Sequence, residues 1–296
     1  MSDIIHYNNC PSCRSTDIGF IFKAKDETVS QEYFEIWQCY NCSLRFTQNV
    51  PCENNIGKYY QSGDYISHSN TSKGLVNKLY HTVRSFTLQS KKKLVEKNSI
   101  NGNLLDIGAG TGAFASTMKK AGWNVTALEP DANARTNAKK DFNIELQPLD
   151  DLFNLPSKSF DVITLWHVLE HVHALHKYLH TFHDLLKENG TLVIAVPNYT
   201  SYDAGQYAAN WAAYDVPRHL YHFSPESMKL LLNTHNFKLL QQKPMWFDSF
   251  YVSLLSEKYV SGKNNFIKAF SRGVASNFKT IGKPSNCSSI IYIAKK

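Results

Sequence analysis

Three glycines at alternate positions, Gly108, Gly110 and Gly112, follow the run LLDI in the stretch LLDIGAGTGAF. A backbone this bare at a strand-to-helix turn lets a ligand approach the main chain and the helix N-terminus. Its neighbours narrow the choice of ligand. No Lys-Ser/Thr pair follows the glycines, which excludes a P-loop, and the third glycine falls one residue short of the dinucleotide spacing GxGxxG. Asp106, just ahead of the loop, would repel a pyrophosphate but suits an ammonium group. Glu129, closing the next apolar run WNVTALE, can accept hydrogen bonds from both hydroxyls of a ribose. An amino group, a ribose and no phosphate together describe S-adenosylmethionine.

The second constellation is sulfur. Four of the six cysteines form two CxxC pairs, Cys10 with Cys13 and Cys39 with Cys42. Each pair sets two thiolates on one tight turn, and two such turns make the tetrahedron a structural zinc prefers. With all four positions taken by protein sulfur, the metal has no place for a water and is structural. Between the pairs, IGFIFKAK and QEYFEIWQC alternate as two antiparallel strands do. Residues 1–52 therefore read as a zinc ribbon. Cys52 and Cys287 stand alone and read as plain thiols.

These groups need a scaffold. Residues 53–100 read as a linker: an aromatic stretch with Tyr59, Tyr60, Tyr65 and His68, a candidate lid, and then a helix from about Lys73 to Lys97. From residue 101 to 296, strand and helix patterns alternate. The strands are NLLDIG, WNVTALE, NIELQPL, SFDVITLW and TLVIAVP, and later FKLLQQ and SSIIYIAKK. A helix opens at Asp131, and another, SPESMKLLLNTH, opens on an imperfect capping box at Ser224. This order predicts an α/β fold: a doubly wound, mostly parallel seven-stranded sheet, Rossmann-like, with the ribbon as a small N-terminal module. Residues 198–222 and 243–288 are insertions into it.

LLDIGAGTGAFASTMKKAGWNVTALEPD resembles the first two cofactor motifs of the class I S-adenosylmethionine-dependent methyltransferases. SFDVITLWHVLEHV, VIAVPNYTS and DVPRHLYHFSPESMKLLL resemble the ubiquinone-methyltransferase-like branch, which methylates small molecules. The likeness covers residues 100–240. It implies that Asp106 and the loop Gly108, Ala109, Gly110 and Gly112 hold the methionine end, and that Glu129, followed by Pro130, holds the ribose. It also implies that Asp150, Asp151 or Leu152 meets the adenine, and that Trp166 and His167 leave the fourth strand beside the cofactor. PRHLYHFS is similar to the HLxYFS segment of sugar C-methyltransferases, which also carry an N-terminal zinc module. Its histidine acts there as base, which makes His219 the candidate base. His222 stands where that family has tyrosine, and is a second candidate.

The remaining composition sets limits. A net charge of +7 hints weakly at an anionic partner, but no block of like charges appears; Lys91-Lys92-Lys93 reads as a solvated helix face. No signal-like N-terminus and no run of 18 apolar residues is present, so a cytoplasmic chain without a membrane span is expected. Glu170 and His171 in EHV invite a metal reading, but neither His173 nor His176 completes it at helical spacing, so no catalytic metal is expected. The favoured function is methyl transfer to a small acceptor: a sugar, a glycan precursor or a phenolic hydroxyl. RNA methylation, with the ribbon as reader, and a non-catalytic cofactor-binding module are the alternatives. The apolar and basic segment 243–288, with Lys263, Lys268, Arg272 and Lys279, can cover the sheet, pair with a copy or touch a membrane surface.

Overall fold

The computed structural model describes residues 3–61, 75–263 and 265–296, the side chains of 75–82 excepted. Tyr65 and His68 of the expected lid lie outside the described residues.

Runs rich in Leu, Ile and Val, buried on both faces, make the middle strands of the central sheet. Its strands are β6 (Asn103–Ile107), β7 (Asn124–Leu128), β8 (Phe160–Trp166), β9 (Leu186–Pro197), β11 (Lys238–Pro244) and β12 (Ser289–Lys295). They lie in the order β11-β12-β9-β8-β6-β7. β6 pairs in parallel with β7 and β8, and β8 with β9; β12 runs antiparallel to its two neighbours, β9 and β11. The seventh strand expected from NIELQPL is reduced to one bridge, Leu128 with Gln147. Ile144 and Leu146 still point inward, but Pro148 lacks an N–H and Leu149–Asn154 coil into a 3-10 turn, which ends the ladder. Leu175–Leu185 are helical, and Leu186 already belongs to β9.

Helices cover both faces. In chain order they are α1 (Leu75–Asn98), α2 (Ala113–Lys120), α3 (Ala132–Phe142), α4 (Leu175–Leu185), α5 (Tyr202–Tyr207), α6 (Pro225–Thr234), α7 (Asp248–Ser261) and α8 (Phe266–Thr280). Asp131 caps α3 by accepting from the Ala134 N–H at 2.6 Å. Ser224 and Ser227 form a reciprocal capping box on α6, with Pro225 in its first turn, so serine performs what the usual Glu does at that place.

The ribbon is built into this body. β1 (Ile4–Ile5) pairs with β5 (Val50–Pro51), and β2 (Ile18–Lys25), β3 (Tyr33–Cys39) and β4 (Arg45–Gln48) form an antiparallel sheet whose edge is completed by β10 (Tyr221–His222). Tyr221 pairs with Phe46 and His222 with Arg45. One sheet thus crosses the boundary expected at residue 52. Cys10, Cys39, Leu44, Phe46 and Val50 share a core with Leu165, Leu169, Leu220 and Phe223.

The two insertions are tied together by one buried carboxylate. Asp203 accepts from Trp211 Nε1 at 2.8 Å, Ser276 Oγ at 2.8 Å and Ser288 Oγ at 2.7 Å. These bonds connect α5, α8 and the approach to β12. α8 leaves Phe266, Ile267, Phe270 and Phe278 exposed. Among the described residues, no helix is long and apolar enough to cross a membrane.

Candidate active site

The glycine loop lies at the carboxyl end of β6, where ligands bind in open α/β sheets. Gly110 has φ +54° and a Cβ there would meet nothing within 4 Å. That empty side is the approach a ligand can use. Gly112 is different: φ is +75°, and a Cβ would lie 2.8 Å from Ile144 and 2.9 Å from Ala138. Gly112 lets α2 start against α3. Gly112→Ala is therefore expected to cost roughly 2–4 kcal/mol, from left-handed strain plus overpacking. Gly110→Ala should cost only the backbone strain. A urea midpoint for each variant checks the order.

Two carboxylates flank the loop. Asp106 is buried and accepts from Thr164 Oγ1 at 2.7 Å. Burial pushes its carboxyl up to about 7, against the pull of Thr164 and Lys91. Glu129 accepts from the Gly110 N–H at 2.7 Å through one oxygen and from the Asp131 N–H at 3.0 Å through the other. Its own N–H donates to the Gln147 carbonyl, and Ala109 N–H to that of Leu128, which locks the loop to the sheet edge. Pro130 follows, its carbonyl accepting from Arg135. Asp150 is exposed, Asp151 half-buried and Leu152 fully buried, all in the 3-10 turn after the Gln147 bridge.

Beyond the loop, charged groups form an unbroken series. Lys91 of α1 reaches over the Trp166 ring, 4.4 Å from its centroid. Burial lowers its pKa to about 8, opposed by the carboxylates of Asp248 and Asp106. Trp166 itself packs edge-on to Phe114, with centroids 5.3 Å apart. His167, with φ +59°, turns the chain at the end of β8. Its Nε2 lies 2.8 Å from Asp248 Oδ2 and its Nδ1 3.3 Å from Glu170 Oε1. Burial opposes a charge on this ring, yet the two carboxylates outweigh it and hold the pKa up to about 10. The two flanking carboxylates favour the imidazolium form of His167. Glu170 then faces His171 and His219, one ligand-type atom of each lying within 4.8 Å of the others. The two rings stack edge to face, with centroids 4.5 Å apart. Tyr60 reaches the same place, its hydroxyl 3.0 Å from His171 Nδ1, whereas Tyr59 is buried against Phe34 with its hydroxyl on Glu32.

A family profile described as a methyltransferase domain matches residues 79–242. The chain belongs to this methyltransferase family. It is 27% identical over 200 residues to a ubiquinone biosynthesis O-methyltransferase of Rickettsia typhi, covering 62% of this chain and 80% of that one. It is 31% identical over 140 residues to the mitochondrial enzyme of that name from Schizosaccharomyces pombe, covering 42% of this chain and 49% of the other. A crystal structure of an S-adenosylmethionine-dependent methyltransferase from Archaeoglobus fulgidus superposes with a TM-score of 0.48 at 20% identity, over 72% of this chain and 94% of the other. S-adenosylmethionine is the methyl donor of this methyltransferase.

In this methyltransferase Asp106 and Glu129 flank the glycine loop, whereas His222 is turned toward the ribbon. Its ring is buried, bonded through Nε2 to Thr47 Oγ1 at 3.1 Å and packed edge-on against Tyr214. Burial keeps it uncharged, with a pKa well below the usual value. It fastens β10 to the ribbon instead. Lys91 and Asp248 are additions that sequence reasoning passed over, and Glu170 and His171, weighed there only as half of a metal site, stand beside them. Lys91 was expected in solvent, and Asp248 belongs to an insertion whose pattern showed only amphipathic helices.

The four cysteine sulfurs all lie within 4.8 Å of one another, with Cys10–Cys42 at 3.6 Å and Cys13–Cys39 at 3.5 Å. Tetrahedral zinc with bonds of about 2.3 Å needs sulfurs about 3.8 Å apart. The donor set fits a structural zinc. The Ser12 and Cys13 N–H groups point at Cys10 Sγ, at 3.4 and 3.5 Å, as they do toward a thiolate.

Proposed function

We propose that this methyltransferase moves the methyl group of S-adenosylmethionine to a hydroxyl oxygen of a small molecule. The observation that carries the reading is the pocket itself: Asp106 for the ammonium, an open main chain at Gly110, and Glu129 for the ribose diol. The acceptor end of that pocket is lined by the series Lys91, Asp248, His167 and Glu170. The likeness to ubiquinone biosynthesis O-methyltransferases supports oxygen as the nucleophile.

S-adenosylmethionine supplies an electrophilic methyl on a sulfonium; the chain supplies position and charge. Gly108, Ala109 and Gly112 hold the loop, and Asp150, Asp151 and Leu152 lie where the adenine ends. Trp166 closes the pocket beside the sulfur. The imidazolium of His167, fixed between two carboxylates, keeps Glu170 aimed at His171 and His219. The acceptor's proton passes to Nε2 of His219, the candidate base, whose Nδ1 donates to the Ala213 carbonyl. Aligning oxygen, methyl and sulfur is the main task, because the reaction is an in-line displacement.

The charge state of Asp106 makes donor binding pH-dependent. In the free protein its carboxyl titrates near 7. The ionised form is the one that binds an ammonium, so affinity falls as pH drops below 7, by about tenfold per unit. Calorimetry with S-adenosylhomocysteine at pH 5.5 and 8 tests this; equal affinities would refute it. The function itself is tested with methyl-labelled donor and a panel of sugar nucleotides and phenols. Label appearing in a methyl ether supports it. Binding of the donor with label retained across the panel, and transfer to RNA instead, would replace it.

A further inference from the structure

Helix α8 has three sides, and its own chain accounts for two of them. At 3.6 residues per turn, Ala269, Gly273, Ser276 and Thr280 fall on one side, which is buried. Ser276 there reaches Asp203, and Gly273 lies so close to Phe250 that a Cβ would stand 2.5 Å from its ring. Lys268, Arg272 and Lys279 fall on a second side. Lys268 pairs with the buried Glu257 of α7 at 3.1 Å, and Arg272 donates to Gln206 of α5. The third side carries Phe266, Ile267, Phe270, Val274 and Phe278, continued past the helix end by Ile281. These six are 44–85% exposed, and no charged residue interrupts them. Their exposed area is about 700 Å², taking a whole aromatic side chain at about 200 Å². The largest apolar patch on a monomer is typically about 300–600 Å².

Charge and spacing decide what covers this face. A helix lying on an anionic membrane carries its cations beside the apolar arc, at the depth of the headgroups. Here the cationic side is turned about 160° from the middle of the apolar side, and two of its three cations are bound to groups of the same chain. The apolar face is therefore neutral, and it can meet a copy of itself without like-charge repulsion. Its spacing suits that partner. Phe266, Phe270, Val274 and Phe278 recur every four residues, large at both ends, so the stripe reads nearly the same from either end. A two-fold axis beside the middle of α8 sets two copies antiparallel, with Phe266 against Phe278 and Phe270 against Val274. Each helix N-terminus then lies near the other's C-terminus, which suits their dipoles. Two copies bury up to about 1,400 Å² in this way, above the ~1,000 Å² that a specific interface needs. We propose that the chain forms a two-fold dimer through α8, the two helices antiparallel and Phe266 of each against Phe278 of the other. The dimer braces the α7–α8 hairpin, whose first residue, Asp248, holds His167 in the active site.

The test weighs the zinc-loaded full chain by light scattering and analytical ultracentrifugation across micromolar concentrations. A species of twice 33.7 kDa is expected. Phe278→Glu removes an aromatic anchor at two symmetric places and sets a charge against an apolar surface. The dimer dissociation constant should rise about a hundredfold or more. Phe266→Glu combined with Phe278→Lys should recover most of that loss, because opposite charges then face each other across the axis. Both variants should melt like the unmodified protein and bind S-adenosylhomocysteine equally, since these side chains stand in solvent in the single chain. A 33.7 kDa monomer at every concentration overturns the proposal, and if that monomer sediments with phosphatidylglycerol vesicles the face is a membrane contact instead. A dimer that Phe278→Glu leaves at full strength overturns it as well. Failure of the charge pair to recover the dimer overturns the antiparallel arrangement.

Discussion

Asp106→Asn is expected to leave the fold intact and to weaken S-adenosylmethionine binding about a hundredfold, the scale of one lost charge-assisted hydrogen bond in a buried site. The amide keeps the shape of the carboxyl and can still accept from Thr164. What it loses is the charge that an ammonium group needs. The stability change has the opposite sign. Burial raises the carboxyl toward 7 in the folded chain, so the native state holds its proton more tightly than the unfolded one. The contribution of Asp106 to stability is therefore full at low pH and is lost as pH rises from about 4 to 7. At pH 8 the Asn variant should be the more stable protein and the poorer binder; toward pH 4 the stability difference should vanish. Thermal melts and calorimetry at both pH values measure the pair of effects. A variant that is destabilised at pH 8, or that binds normally, would contradict the assignment.

Loss of the cysteine-bound zinc should have an even larger effect on stability. Cys39→Ser, or a strong chelator, is expected to lower Tm by more than about 10 °C, in one transition and not two. Structural zinc is worth about 10–16 kcal/mol in isolated fingers, and with an unfolding entropy of about 0.6 kcal/mol/K for a chain of 296 residues about two thirds of that shifts Tm by the stated amount. The single transition follows from the packing. Cys10, Cys39 and Cys42 belong to the same core as Leu165 and Leu220. Thr47 donates to the His219 carbonyl at 2.7 Å, and its N–H to that of Leu220 at 2.9 Å. The chelated protein should therefore lose S-adenosylhomocysteine binding together with its ribbon. Scanning calorimetry with and without chelator is the measurement; a ribbon that melts alone and leaves donor binding unchanged would contradict it.

What the sequence made legible follows distance along the chain. The glycine loop, Asp106 and each CxxC pair are local signals, legible because a turn fixes their geometry. Strands buried on both faces, such as Val193–Val196, stand out by composition. The Glu170 cluster was not legible for a definite reason. Helical spacing directed attention to His173 and His176, but Leu169–His171 form a 3-10 turn, and the third member, His219, comes from beyond β9. His176 instead bonds His235 at 2.8 Å and the Pro11 carbonyl at 3.0 Å. Lys91 sits in a basic triplet that reads as solvated, and only the packing of α1 shows that it lies over the Trp166 ring while Lys92 pairs with Glu96 on the helix surface. Periodicity also overstated the sheet: NIELQPL alternates as a strand should, but an edge position followed by proline leaves it one bridge.

The pairing of β4 with β10 bears on how the chain is made. A ribosome adds about 5–20 residues per second, and the partner of β4 is synthesised about 170 residues after it. For roughly ten seconds or more the nascent ribbon presents a naked strand edge carrying Phe46. Zinc capture can precede completion of the sheet, but the edge is shielded only when the polypeptide has been extended past His222. Overexpression without added zinc should therefore favour intermolecular strand pairing over folding, and slower translation between the two segments would lengthen that exposure.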